Sequence, residues 1–136
     1  MRIFAQVWIG LLFALLACNA TAAPAVLLSI ENKVETARAA STTWSAAQTN
    51  QTLQVGDRLR THRRSRALLQ LSDLSVTRVN ELTVLEIRAP STGQTGFLDV
   101  QSGEIYFLNR ERPSTIEFRT PVASGAIRGT EFHLGV

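Results

Sequence analysis

From Gln54 onward, apolar and polar residues follow one another with a period of two. Leu59 and Thr61 alternate with Arg58 and Arg60, and Ala67, Leu69 and Leu71 alternate with Leu68 and Gln70. Successive side chains of a strand point to opposite faces of a sheet, so each run predicts a half-buried β-strand. Further short runs follow at 75–79, 82–88, 97–100 and 104–108. Turn signals separate them at Ser72-Asp73, Asn80-Glu81, the Pro/Ser/Thr/Gly stretch 90–96, Ser102-Gly103 and the charged stretch 109–114. Ahead of them, 25–30 reads as an apolar strand, Asn32-Lys33 as a turn and 34–38 as a returning strand. The stretch 39–54, rich in Ser, Thr, Asn, Gln and Ala, reads as a loop with Trp44 folded back as an anchor. No amphipathic helix of useful length is evident after the first two dozen residues. The pattern predicts an all-β fold: a compact, jelly-roll-like sandwich or a short solenoid-like stack of strands.

The last eighteen residues carry the sharpest pattern. Ile116, Phe118 and Thr120 share one face, with Glu117 and Arg119 on the other. After a stretch of small residues, Thr130, Phe132, Leu134 and Val136 alternate with Glu131, His133 and Gly135. Pro121 cannot donate to a ladder, so the first strand is expected to stop there. Gly125 and Gly129 bracket Ala126, Ile127 and Arg128, and this segment reads as the turn of a hairpin. The sequence then stops one strand into that hairpin, so the domain is expected to be truncated or minimal at this end, with 130–136 as an exposed edge.

The first residues belong to a different kind of segment. Arg2 is a short basic start, 3–17 is almost wholly apolar, and Ala20-Thr21-Ala22 has the small-x-small form of a cleavage site. Residues 1–22 are therefore read as an export signal and 23–136 as the mature domain, placing the protein in the periplasm or cell envelope. Cys18, the only cysteine, follows Leu15-Leu16-Ala17 in a loose lipobox. Cleavage after Ala22 and lipidation of Cys18 both fit, the second giving the only membrane attachment expected. Either way the mature domain has no disulfide and must be held by packing, for which 45% hydrophobic residues suffice. A formal charge of +3 does not demand a polyanionic partner.

Two motifs carry a family resemblance. Arg119-Thr-Pro-Val-Ala123 followed by Ile127-Arg-Gly-Thr-Glu-Phe132 resembles the "TPxAxxxxRGTEF" hallmark of the FecR-like domain. Val55-Gly-Asp-Arg-Leu-Arg-Thr61 is similar to that family's "GDxLxT", and Ser65-Arg66-Ala67 to its "SRA". The motif residues Gly56, Asp57, Leu59, Thr61, Thr120, Pro121, Ala123, Arg128, Gly129, Thr130, Glu131 and Phe132 are thereby implied to be mainly structural. In this family the periplasmic domain follows a cytoplasmic anti-sigma region and one membrane helix. It contacts the signalling domain of a TonB-dependent outer-membrane transporter, coupling iron-complex uptake to transcription. Here an export signal stands where those parts would be, so the resemblance implies a stand-alone envelope protein. The family has Gly near Asn32, where asparagine tolerates the same left-handed conformation less well, and at His62, which implies a remodelled turn there.

Candidate chemistry adds little beyond binding. Arg58, Arg60, Arg63, Arg64 and Arg66 surround His62. Without interleaved aromatics, and in an exported protein, this run is not expected to bind nucleic acid. It reads as a solvated turn in which Arg58 or Arg60 pairs Asp57, Asp73 or Glu81; the competing reading makes Arg63 and Arg64 partner contacts. Arg128 is expected to pin its hairpin to Glu131 or Asp57, with recognition of a partner's carboxylate as the alternative. The two histidines are far apart, and no Cys/His cluster, nucleophile arrangement or Gly-rich loop has catalytic or metal-ligand spacing. A non-enzymatic module is expected, without cofactor or metal, binding another envelope protein. The rivals are a FecR-type signalling component regulating iron uptake and a carbohydrate- or peptidoglycan-binding module using Trp44 and Tyr106.

Overall fold

The computed structural model of the chain describes residues 25–72, 74–90, 96–109 and 113–136. The proposed export signal, Cys18 and Asp73 lie outside the described residues. The described residues form strands β1 (Ala25–Glu31), β2 (Val34–Ala37), β3 (Ser45–Ala46), β4 (Thr52–Leu53), β5 (Arg58–Thr61), β6 (Arg66–Leu71) and β7 (Val76–Val79). They continue as β8 (Val84–Ile87), β9 (Gly96–Ser102), β10 (Glu104–Leu108), β11 (Ser114–Arg119), β12 (Ser124–Gly129) and β13 (Glu131–Gly135). Two sheets result. One has the order β13-β10-β7-β6-β1-β4 and the other β12-β11-β9-β8-β5-β2-β3. β9 and β11 pair in parallel. The fold is all-β, as expected.

Alternation places the core between the sheets. Leu27, Leu69, Val79, Ile105 and Phe107 from the first sheet meet Leu59, Leu85, Ile87, Leu98, Val100 and Ile116 from the second in one buried cluster. Burying a side chain of this size stabilises by about 1.5–3 kcal/mol, and this cluster replaces the missing disulfides.

The chain does not finish one sheet before starting the other; it crosses between them at corners. Asn32, Arg64, Leu82 and Gly103 each adopt a positive φ, of 60°, 55°, 53° and 92°, and together line one concave end of the sandwich. These corners bond to one another. The Asn32 side chain donates to the Arg64 carbonyl, the Arg64 amide donates to Glu81 Oε2 at 2.7 Å, and the Glu104 amide donates to Thr83 Oγ1 at 3.0 Å. Gly103 has no substitute at its corner, because a Cβ there would lie 2.5 Å from Thr83 Cα and 2.7 Å from the Leu82 carbonyl. The two expected architectures thus merge: a sandwich, with its chain wound back and forth in a stack of corners.

Three expectations about the strands fail. The stretch 39–54, expected as loop, holds two short strands, β3 against β2 and β4 against β1. Leu82 was expected to open a strand, yet it sits in the turn, 56% exposed, and β8 begins at Val84. More consequentially, the small residues between Pro121 and Thr130 are not a turn. Thr120 to Ala123 make the turn, and Ser124–Gly129 forms β12, paired antiparallel with β11 from Ser114↔Gly129 to Arg119↔Ser124. Thr130 then bends the chain into β13, which joins the other sheet beside β10. Gly125, Ala126 and Gly129 offer no apolar alternation, so this strand is invisible to a period-two reading. Gly125 instead makes room for a ring: a Cβ there would lie 3.3 Å from Phe118.

Candidate interaction surfaces

The first motif is a structural clamp. Gly56 takes φ 90°, and a Cβ on it would lie 2.7 Å from Ala39 Cβ, so the backbones approach closely. Asp57, 3% exposed, accepts the Ala39 amide on Oδ1 at 3.1 Å and the Gln54 amide on Oδ2 at 2.9 Å. It thereby closes the neck of the loop carrying Trp44. Arg38 reaches the same carboxylate at 3.4 Å but is mostly exposed. Leu59 is buried in the core. Thr61 accepts the Thr83 amide at 3.0 Å and donates to the Asn80 carbonyl, holding β5 to the next corner. Ser65, wholly buried, accepts the Lys33 amide at 3.0 Å.

The second motif divides. Thr120 is buried and organises the β11–β12 turn. Its hydroxyl accepts the Ala123 amide at 3.0 Å, and its own amide donates to the Ala123 carbonyl at 2.7 Å. Pro121 and Ala123 flank Val122 at an exposed tip, Val122 being 92% exposed. Phe132 is half-buried and stacks on Phe107, ring centroids 4.9 Å apart. Arg128, Thr130 and Glu131 are exposed, and Gly129 is half-buried.

Arg128 lies on a strand and not in the turn of a hairpin. It stands opposite Thr115 on β12, the outermost strand of its sheet, and has no ion pair or hydrogen bond to the described residues. Asp57 is engaged elsewhere, and Glu131 lies beyond the Thr130 bend in the other sheet, opposite Leu108. The expected lock does not form, because the segment is a strand and not a tight turn.

The basic run is also resolved differently. Arg60 Nε donates to Glu35 Oε2 at 2.6 Å, and His62 Nε2 lies 2.7 Å from the same oxygen. The bond from Arg60, then that from His62, lowers the Glu35 pKa from 4.5 to about 2. Arg58 and Arg60 stack on Trp44 at 5.0 and 4.2 Å from its ring centroid, and the Arg58 guanidinium donates to the Ser41 carbonyl. Trp44 is thus an anchor, held by guanidinium groups above a sheet face. Glu35 escaped the sequence reading because its partner lies across the β2–β5 ladder, at Glu35↔Arg60. Arg63 and Arg64 remain exposed in the corner turn.

Among the described residues, no group of three or more His, Cys, Asp or Glu could hold a metal ion. The described residues contain no helix long and apolar enough to cross a membrane, which leaves strands out of account. What remains is a β-sandwich whose sequence hallmark lies partly on open strand edges. Residues 57–136, more than half of the chain, match the family described as FecR protein, and the chain belongs to that family. Membership points to a signalling or sensing role connected with the cell envelope. No curated protein and no solved structure matches the chain.

Proposed function

We propose that this chain is an exported, non-enzymatic interaction module of the bacterial envelope that docks another envelope protein on its β12 edge. One observation carries the reading. The family hallmark presents Arg128 on the outermost strand, exposed and without an ion-pair partner among the described residues. A planar guanidinium beside an unpaired strand edge suits an incoming extended segment with a carboxylate: the backbone supplies ladder bonds and the fork supplies selectivity. Arg128→Lys keeps the charge and loses the fork. Its melt is expected to match the parent, while capture of the envelope partner is lost. A lowered melt with capture retained would return Arg128 to a structural role.

Family membership favours a second, narrower reading in which the partner belongs to a cell-surface signalling route that regulates iron uptake. Its test is whether deletion of the gene changes transcription of iron-uptake genes. The sugar-binding reading is weaker. Trp44 and Tyr106 would serve as stacking platforms, but Arg60 lies 4.2 Å from the Trp44 centroid and Arg78 lies 5.1 Å from that of Tyr106.

A further inference from the structure

The two sheets end unequally. On one side the outermost strands, β3 and β4, are two residues each; on the other, β12 has six residues and β13 has five. Very short edges are a common protection against unwanted pairing, as are lysine, proline and bulges. β13 has neither lysine nor proline, and its register with β10 runs unbroken from Glu104↔Gly135 to Leu108↔Glu131.

The free edge of β13 can be assigned residue by residue. The Asn109 amide donates to the Thr130 carbonyl at 2.7 Å and the Val136 amide to the Gly103 carbonyl at 2.9 Å. In an antiparallel ladder hydrogen-bonded positions recur every second residue, so Thr130, Phe132 and Leu134 direct their backbone groups toward β10. Glu131, His133 and Gly135 therefore direct theirs outward. Of the side chains, Glu131 and His133 are exposed, whereas Phe132 and Leu134 are half-buried and pack against the core.

We propose that β13 pairs antiparallel with β13 of a second copy of this chain, with the two-fold axis at Phe132. That register is chosen by charge. It sets Glu131 opposite His133 of the other copy and His133 opposite its Glu131, giving two complementary pairs that also exchange backbone hydrogen bonds. It sets Phe132 against Phe132, extending the stack already made with Phe107, and Thr130 against Leu134. A dyad at His133 would face the two imidazoles and leave Glu131 opposite Gly135. At the ends of the pairing, Gly129 has nothing within 4 Å of where a Cβ would be, and Gly135 only Glu104 Cγ at 3.9 Å. The crossing chain therefore has room at the bend. The pairing makes no use of the Arg128 side chain and stands apart from the reading above. The two sheets of strands become one across the dyad, in an isologous interface.

The test is a charge exchange read by sedimentation equilibrium on the full chain, extracted from the envelope in density-matched detergent at pH 6. An interface this small is expected to associate weakly, on the order of tens of micromolar. His133→Glu places carboxylates opposite one another, and Glu131→Arg puts a guanidinium opposite the imidazole. Each is expected to weaken association about tenfold, given two pairs lost. The double variant Glu131→Arg/His133→Glu restores complementarity and is expected to return to within about threefold of the parent. His133 also lies 3.5 Å from Glu104, so each variant's melt is recorded to confirm that it is folded. A parent that is monomeric up to about 1 mM overturns the proposal, as does a folded double variant no better than the single ones.

Discussion

Replacing Asp57 by asparagine keeps its size and removes its charge. The carboxylate now accepts two backbone amides, Ala39 on one oxygen and Gln54 on the other. Asparagine has one oxygen, so its NH₂ must face one of those amides, donor against donor. A hydrogen bond to a charged group is worth about 1.5–3 kcal/mol. Both Ala39 and Gln54 are exposed residues, so water can reach the freed amide, and the lower part of that range applies. The expected loss is about 2 kcal/mol for Asp57→Asn and about 3 kcal/mol for Asp57→Ala. For a domain of this size each kcal/mol lowers the melting temperature by about 4 °C, giving drops near 8 and 12 °C. Arg38→Ala, at a side chain 72% exposed, should cost within about 0.5 kcal/mol. Thermal melts followed by far-ultraviolet circular dichroism measure all three. An Asp57→Asn melt within about 2 °C of the parent, or one equalled by Arg38→Ala, refutes the clamp.

Two further perturbations test other parts of the account. Glu35 has its pKa lowered from 4.5 to about 2, so its bonds to Arg60 and His62 contribute stability above pH 4.5 that is lost as pH falls toward 2. Melts across that window should therefore decline less steeply for Glu35→Gln than for the parent, and parallel declines would show the cluster to be energetically idle. Thr77, fully buried between Leu69 and Phe107 in the ladders, has a hydroxyl with no hydrogen-bond partner among the described residues. Thr77→Val removes that uncompensated burial and should raise stability by about 1 kcal/mol; a lowered melt would mean that the hydroxyl has a partner.

What the sequence disclosed and what it hid follow from one physical distinction. Alternation reports which face of a strand is buried, and wherever one face carried large apolar side chains, as at Leu69, Leu85, Ile105 and Phe107, the strand was legible. Corners were legible where Asn32 and Gly103 marked left-handed backbone, but not at Leu82, whose apolar side chain argued for a strand. β12 was hidden because Gly125, Ala126 and Gly129 have no bulk from which to form a pattern, and its existence depends on β11 lying alongside. The same error misplaces Arg128: a guanidinium in a segment bracketed by Gly125 and Gly129 reads as the lock of a turn, and it is a projecting group on an edge strand. Partners across ladders, such as Glu35 with Arg60, depend on register, which no local pattern contains. The motif residues come from resemblance, and the structure divides them into a clamp (Gly56, Asp57, Thr61), core contacts (Leu59, Phe132), a turn (Thr120 to Ala123) and exposed residues on two different edges, Arg128 on β12 and Glu131 on β13.

The edge is where the proposed function stands or falls, and site-specific crosslinking in cells addresses it directly. A photoreactive residue at Ala126, exposed on β12 two positions from Arg128, would sit within reach of any segment docked there. The same probe at Arg63, exposed in the corner turn, serves as the comparison. The account predicts one envelope-protein adduct from position 126, its disappearance when Arg128→Lys is added, and no such adduct from position 63. Equal adducts from both positions, or an adduct at 126 indifferent to Arg128→Lys, would contradict it.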